Sequence, residues 1–199
     1  DDLMYRHWDH TVLEIPHTFI ADFDFGGSEI TPDNSVDILA GEAELYELPT
    51  EPFGGLEQLS WSPDGKYIAY SCRKLVGKKY AFSTNTEIYI YNVESGECQV
   101  IDMKGGYDTD PVWSPDGSKI AWISMERDGY ESDRMRLCVM DLKDRSYKYV
   151  TETFESNVDN FTWAPDNKTL YFTGVWKART MVYETNLKGA VKSITVGDY

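Results

Sequence analysis

Trp61-Ser62-Pro63-Asp64-Gly65, Trp113-Ser114-Pro115-Asp116-Gly117 and Trp163-Ala164-Pro165-Asp166-Asn167 are three copies of one pentapeptide, set 52 and then 50 residues apart. After each Trp, positions seven to nine are again alike: Ile68-Ala69-Tyr70, Ile120-Ala121-Trp122 and Leu170-Tyr171-Phe172. In Ser-Pro-Asp-Gly, Pro presets φ for the second position of a type I turn and Asp suits the third. Gly then takes the left-handed conformation that closes a three-residue hairpin loop, and Asn167 tolerates the same positive φ. Each copy therefore joins a strand ending near the Trp to a second strand rich in β-branched and aromatic residues. That second strand is apolar on both faces, as expected where sheets stack against neighbours on either side.

A third strand follows in each unit, ending in Tyr91-Asn92-Val93, Met140-Asp141-Leu142 and Thr185-Asn186-Leu187. A short polar turn leads to a fourth, more hydrophilic strand: 98–101, 147–151 and 191–195. Lys148 and Lys192 suit an outer, solvent-facing edge. Four short antiparallel strands per 40 to 50 residues make a propeller blade. The fold class is all-β, a β-propeller fragment of about three and a half four-stranded antiparallel blades. The expected division is a partial blade over 1–24, an irregular strand and linker over 25–55, and blades over 56–104, 105–154 and 155–195. Residues 196–199 would start a further, missing blade. In the partial blade, Met4 to Trp8 is the expected second strand and Phe19 to Phe23 the third. The three motif Trp residues should sit at equivalent first-strand ends, each packed on a neighbouring blade.

Composition fits this. The 199 residues are 41% hydrophobic and 14% aromatic, enough for a packed core, and carry a formal charge of -15. That charge repels phosphate backbones and acidic membrane surfaces, which argues against nucleic-acid and membrane partners. No apolar stretch approaches the roughly 20 residues of a bilayer span, and Asp1-Asp2 is unlike the basic start of a signal peptide. Cys72, Cys98 and Cys138 form neither a disulfide framework nor a metal pattern, and are expected to be small buried residues.

The repeat resembles TolB-like propellers and the propellers of the prolyl oligopeptidase family of serine peptidases. Met4-Tyr5-Arg6-His7-Trp8-Asp9-His10 followed by Phe19-Ile20-Ala21-Asp22, and Pro52-Phe53-Gly54-Gly55-Leu56-Glu57 leading into the first motif, resemble the dipeptidyl and acylaminoacyl peptidase branch. The resemblance implies a propeller that filters peptide substrates above an α/β-hydrolase domain bearing a Ser, Asp and His triad. No Gly-x-Ser-x-Gly elbow occurs in these residues, and the three histidines are His7, His10 and His17. The expectation is a non-catalytic part of a serine exopeptidase, with no catalytic residue, cofactor or metal site of its own. Its implied partners are the hydrolase domain and a peptide, and its implied compartment is periplasmic ahead of cytoplasmic. The rival is a TolB-like scaffold for protein binding with no enzyme attached.

Within the repeat, Ser71 to Thr86 and Ser124 to Arg134 are long second-to-third strand connections, whereas the third unit has almost none. Such connections all leave one end of a propeller, and long ones in a compact repeat carry function. They hold Arg73, Lys74, Lys78 and Lys79 in the first and Glu126, Arg127 and Asp128 in the second, the candidate rim toward a hydrolase domain or entering peptide. Asp108 and Asp110, a tempting acid and base pair, are expected in solvated loops. Two open blade faces, at the partial blade and at the blade ending near Thr195, should drive self-association unless the partial blade is remodelled to cover one.

Overall fold

A computed structural model describes residues 6–7, 10–11, 14–23, 25–27, 29–50, 54–101, 103 and 105–195. Strands β1 (Arg6–His7) and β2 (His10–Thr11) pair with each other, as do β3 (Phe19–Ile20) and β4 (Val36–Asp37). Three four-stranded antiparallel sheets follow, each paired in chain order. The first holds β5 (Leu59–Trp61), β6 (Tyr67–Cys72), β7 (Glu87–Asn92) and β8 (Cys98–Ile101). The second holds β9 (Tyr107–Trp113), β10 (Lys119–Met125), β11 (Arg136–Asp141) and β12 (Tyr147–Tyr149). The third holds β13 (Asn160–Trp163), β14 (Thr169–Trp176), β15 (Arg179–Asn186) and β16 (Val191–Ser193). These are three blades of a partial β-propeller.

The motif turns form as their chemistry requires. Gly65, Gly117 and Asn167 have φ of 69°, 70° and 58°. The hydroxyls of Ser62 and Ser114 donate to Asp64 and Asp116 at 2.7 Å and accept the amides of Tyr67 and Lys119. In the third copy Ala164 removes that hydroxyl, and Thr169 Oγ1 donates to Asp166 from the far side of the turn at 2.7 Å.

Blades are fastened by a bond that repeats with the sequence. Trp113 Nε1 donates to the carbonyl of Ser60, and Trp163 Nε1 to the carbonyl of Val112, both at 3.1 Å. Each acceptor immediately precedes the motif Trp of the blade before. Ala69, Ile88 and Ile101 meet Trp113, Ile120, Trp122 and Met140 between the first two blades. Ala121, Ile123 and Leu137 meet Trp163, Leu170, Phe172 and Tyr183 between the next two. Burying side chains of this size contributes roughly 1.5–3 kcal/mol each, so these two interfaces dominate stability.

Four expectations are corrected. Trp61 is 55% exposed, against 7% for Trp113 and 8% for Trp163, because its indole meets no first-strand carbonyl among the described residues. Cys98 is exposed on the edge strand β8, with its Sγ 3.2 Å from the Tyr70 hydroxyl, whereas Cys72 and Cys138 are buried. Strand β14 is not buried on both faces: the apolar Tyr171 and Val175 are exposed, because no blade among the described residues covers that side of the third blade. Among the described residues the expected second and third strands of the partial blade are not paired with each other: β1 pairs with β2, and β3 with β4. Met4, Tyr5 and Trp8, and the expected blade start at 196–199, lie outside the described residues.

Residues 36–50 do more than link. Ile38, Leu39 and Leu48 pack on Ile68, Tyr70, Cys72 and Tyr91, covering much of the outward face of the first blade. The cover comes from the segment expected to be a linker rather than from the partial blade over 1–24, and it leaves Trp61 uncovered.

Candidate functional site

The long connections emerge at the end of the blades opposite the motif turns. In the first blade, residues 73–86 leave β6 and include the short helix α1 (Lys78–Phe82). The second-blade connection, 126–135, is tied to it. Asp128 Oδ1 accepts from the Ser83 hydroxyl at 2.7 Å and from the amides of Thr84 and Asn85 at 2.8 and 3.1 Å. In return the Gly129 amide donates to Thr84 Oγ1 at 2.8 Å. These bonds, led by Ser83, hold the Asp128 carboxyl below the ordinary carboxylate range. Such charge-assisted bonds are the strong ones, and they join two blades across a sequence gap of more than forty residues.

The rim then continues toward the third blade. Arg134 donates to the carbonyls of Phe154 and Glu152 at 2.8 and 3.1 Å, and the Met135 amide to Asn157 Oδ1 at 3.0 Å. The third blade itself contributes a two-residue turn, Lys177 and Ala178, both at positive φ.

The seven candidate residues divide by environment. Arg73 is half-buried with its guanidinium 4.6 Å from the Tyr80 ring centroid. Burial lowers its pKa and the Glu47 carboxylate opposes this. Lys74 bonds Glu42 and stands 4.0 Å over the Tyr89 ring, so it fastens 36–50 to the blade. Glu126 pairs with Arg136 at 3.1 Å, and Arg127 pairs with Asp133 and lies 3.8 Å over Tyr130. Only Lys78 and Lys79, with Asp128, line the open groove of about 560 Å³ that this end presents. Leu75, Phe82, Ser83, Asn85 and Gly105 complete it, and none of these was singled out from sequence. Phe82 is 82% exposed. The signal that could have found the junction is Ser83-Thr84-Asn85 facing Asp128-Gly129, short polar side chains suited to bonding backbone amides.

The acid pair is placed differently from the sequence expectation. Asp108 and Asp110 lie in β9, not in a solvated loop, and Asp108 is buried. Its Oδ1 accepts from Trp122 Nε1 at 2.9 Å, and its Oδ2 is buried with no hydrogen-bond partner among the described residues. Burial raises its pKa to about 7. Its carbonyl also takes the hydroxyls of Ser71 and Thr86, at 2.6 and 2.7 Å, so it is a joint between blades. Asp110, at φ 56° beside a register shift in β9, bonds Thr109. His17 Nδ1 lies 2.6 Å from Asp37 Oδ2, while the side chains of His7 and His10 are outside the described residues. Among the described residues no group of three His, Cys, Asp or Glu is placed to hold a metal ion, and no helix is long and apolar enough to cross a membrane.

The family model described as the TolB beta propeller domain matches residues 57–199. The chain belongs to the TolB beta propeller domain family. It is 50% identical over 200 residues to dipeptidyl-peptidase 5 of Porphyromonas gingivalis, a match covering 100% of this chain and 28% of that protein. To dipeptidyl-peptidase 5 of Porphyromonas endodontalis it is 43% identical over 198 residues, covering 98% of this chain and 28% of the relative. The chain thus spans 28% of the length of these curated relatives. TolB from Acinetobacter baumannii superposes with a TM-score of 0.57 at 19% identity, over 90% of this chain and 37% of that one. At that identity the likeness is one of fold, and it places this TolB-type propeller beside a solved one.

Proposed function

We propose that this propeller segment is the non-catalytic part of a serine exopeptidase of dipeptidyl peptidase type. In this reading it docks a hydrolase domain carried elsewhere in the longer protein and restricts which peptides reach it. The observation that carries the reading is the identity, along the whole chain, to two dipeptidyl-peptidases 5. The rim supports it: two long connections from different blades are bonded into one ledge through Asp128, a construction that a solvated loop does not need. Lys78, Lys79 and Asp128 face the open groove, while Arg73, Lys74, Glu126 and Arg127 hold the ledge in place. Blades assigned to 56–104, 105–154 and 155–195 then act as the scaffold.

The test is made in the longer protein. Replacing 75–84 by a short Gly-Ser turn should leave hydrolysis of a chromogenic dipeptide intact while changing the relative rates on peptides of five and of twenty or so residues. Unchanged length selectivity, or a protein that no fluorophosphonate probe labels at serine, would sink the reading. Absence of labelling would instead favour a TolB-like scaffold whose end face binds a protein, the alternative to which the family match points.

A further inference from the structure

We propose that the cleft between the motif turns of the first two blades binds a peptide segment through an Asn or Gln side chain with an aliphatic residue beside it. The repeat itself supplies the precedent. Between the second and third blades, Asn167 reaches back across the interface, and its Oδ1 accepts from the Asp116 amide at 2.9 Å. Between the first and second blades, the residue equivalent to Asn167 is Gly117, and the one equivalent to Asp116 is Asp64. With no side chain at 117, the neighbouring turn brings no acceptor to the Asp64 amide, which meets its own carboxylate among the described residues. A cleft of about 620 Å³, within the range of small-ligand sites, opens between the two turns and is lined by both.

The lining decides what takes the missing side chain's place. Asp64 and Asp116 keep their carboxyls below the ordinary range, held chiefly by the Ser62 hydroxyl in the first turn and the Ser118 amide in the second. Glu97 brings a further carboxylate to the lining, and Arg145 is committed to the carbonyl of Val100 at 2.8 Å. These charges repel an anionic acceptor from the Asp64 amide. A neutral carboxamide suits it, because its oxygen accepts from that amide while its NH₂ donates to the same carboxylates. Beside the turns, Tyr67, Ile90 and Leu142 are half-buried and offer apolar area to an adjoining side chain. Trp113 is 7% exposed and lies 6.2 Å from the Tyr67 ring, so it offers no open indole face, which favours an aliphatic side chain over a stacked sugar ring. The cleft lies at the end of the blades opposite the ledge and does not depend on the substrate-filter reading.

The test titrates fluorescein-labelled hexapeptides that differ only at a central pair, Leu-Asn, Leu-Asp, Leu-Ala or Ser-Asn, into the 199-residue chain. Binding is read by fluorescence anisotropy and by the Asp64 amide resonance of isotope-labelled protein. Leu-Asn should bind about tenfold more tightly than each of the others and should move that resonance. G117N should weaken its binding about tenfold or more, by supplying in the chain what the peptide brings. The backbone allows it: φ is 70° at Gly117 against 58° at Asn167, and a Cβ at 117 meets Pro63 Cδ at an ordinary 3.6 Å. G65N sets the same residue at φ 69°, where a Cβ meets nothing within 4 Å, and should leave binding unchanged. Equal binding of the four peptides, an unmoved Asp64 resonance, indifference to G117N, or no binding at all overturns the proposal. So does binding of N-acetylglucosamine in place of the Leu-Asn peptide, since the occupant would then be a glycan. The peptide comparison is made on the parent chain and decides the matter even where G117N fails to fold. Each of these results leaves the length-selectivity test standing, so the two ideas fail separately.

Discussion

Asp108→Asn tests the buried joint between the first two blades. The carboxyl sits at 1% exposure; Trp122 donates to one oxygen, the other is buried with no hydrogen-bond partner among the described residues, and the nearby Ser124 hydroxyl offsets part of the effect of burial on its pKa. Burial raises its pKa from the ordinary 3.8 to about 7, and the nearby Glu87 carboxylate adds to the rise. The folded chain therefore holds this proton over a range where the unfolded chain releases it. Stability is greatest below the unfolded pKa and is lost as pH rises through about 4 to about 7, with no further loss above. At 1.36 kcal/mol per pH decade the full penalty is up to about 4 kcal/mol, of which about 2 kcal/mol falls between about pH 5.5 and about pH 8.5. Asparagine keeps the acceptor for Trp122, fills the same space and cannot ionise. Urea unfolding followed by Trp fluorescence should show the variant gaining about 2 kcal/mol on the parent across that interval. The other carboxylates titrate alike in both chains and cancel. Parallel stability curves would refute the argument, and would mean that water or a rearrangement satisfies Oδ2.

Trp113→Ala and Trp163→Ala should each cost about 3–5 kcal/mol in a thermal or urea melt, and Trp61→Ala within about 0.5 kcal/mol, although the three share one motif position. Gly106→Ala should be far more damaging than Gly65→Ala. The added Cβ at 106 would lie 2.1 Å from the Met125 carbonyl oxygen, whereas at 65 it meets nothing within 4 Å and costs only the 1–2 kcal/mol or so of a left-handed backbone. A disulfide reagent at about pH 8 should titrate one thiol rapidly, Cys98, because Cys72 is buried with its pKa pushed up to about 12 and burial also raises the Cys138 thiol well above its ordinary value. Two fast thiols would show that a blade opens. Asp128→Ala should leave the melt within about 1–3 kcal/mol of the parent yet speed proteolysis inside 73–86 and 126–135 together, and cleavage confined to one loop would argue against their coupling.

The blades were legible because their determinants are local. Pro, Asp and a left-handed residue within five positions dictate a turn whatever surrounds it, and three copies at a common spacing dictate the stacking of what they connect. The early segment was not legible for the converse reason. Ile38, Leu39 and Leu48 stand in a Gly- and acid-rich stretch with no strand periodicity, and their role follows only from the blade face they cover. Trp61 shows the limit of reasoning by repeat: an identical pentapeptide fixes the turn, but burial of the indole belongs to the neighbouring blade. Asp108 was misplaced because charge suggests solvent, and nothing adjacent in sequence reveals that Trp122 will reach it.

At the rim, position along the chain was legible and partnership was not. Seven charged residues were drawn from two loops as one class, and the structure sorts them by what each touches. Charge alone cannot do this, because Lys74 and Lys79 look alike in sequence, yet one is committed to Glu42 and Tyr89 while the other lines the groove. The residue that organises the ledge is the acidic Asp128, and it acts through backbone amides of the adjacent blade rather than through an opposite charge. A rim built this way shifts only if the blades shift, since each loop is held by its neighbour. The substrate selection proposed for this end is thereby coupled to inter-blade packing, so that loosening Trp113 should disturb the groove without touching any residue that lines it.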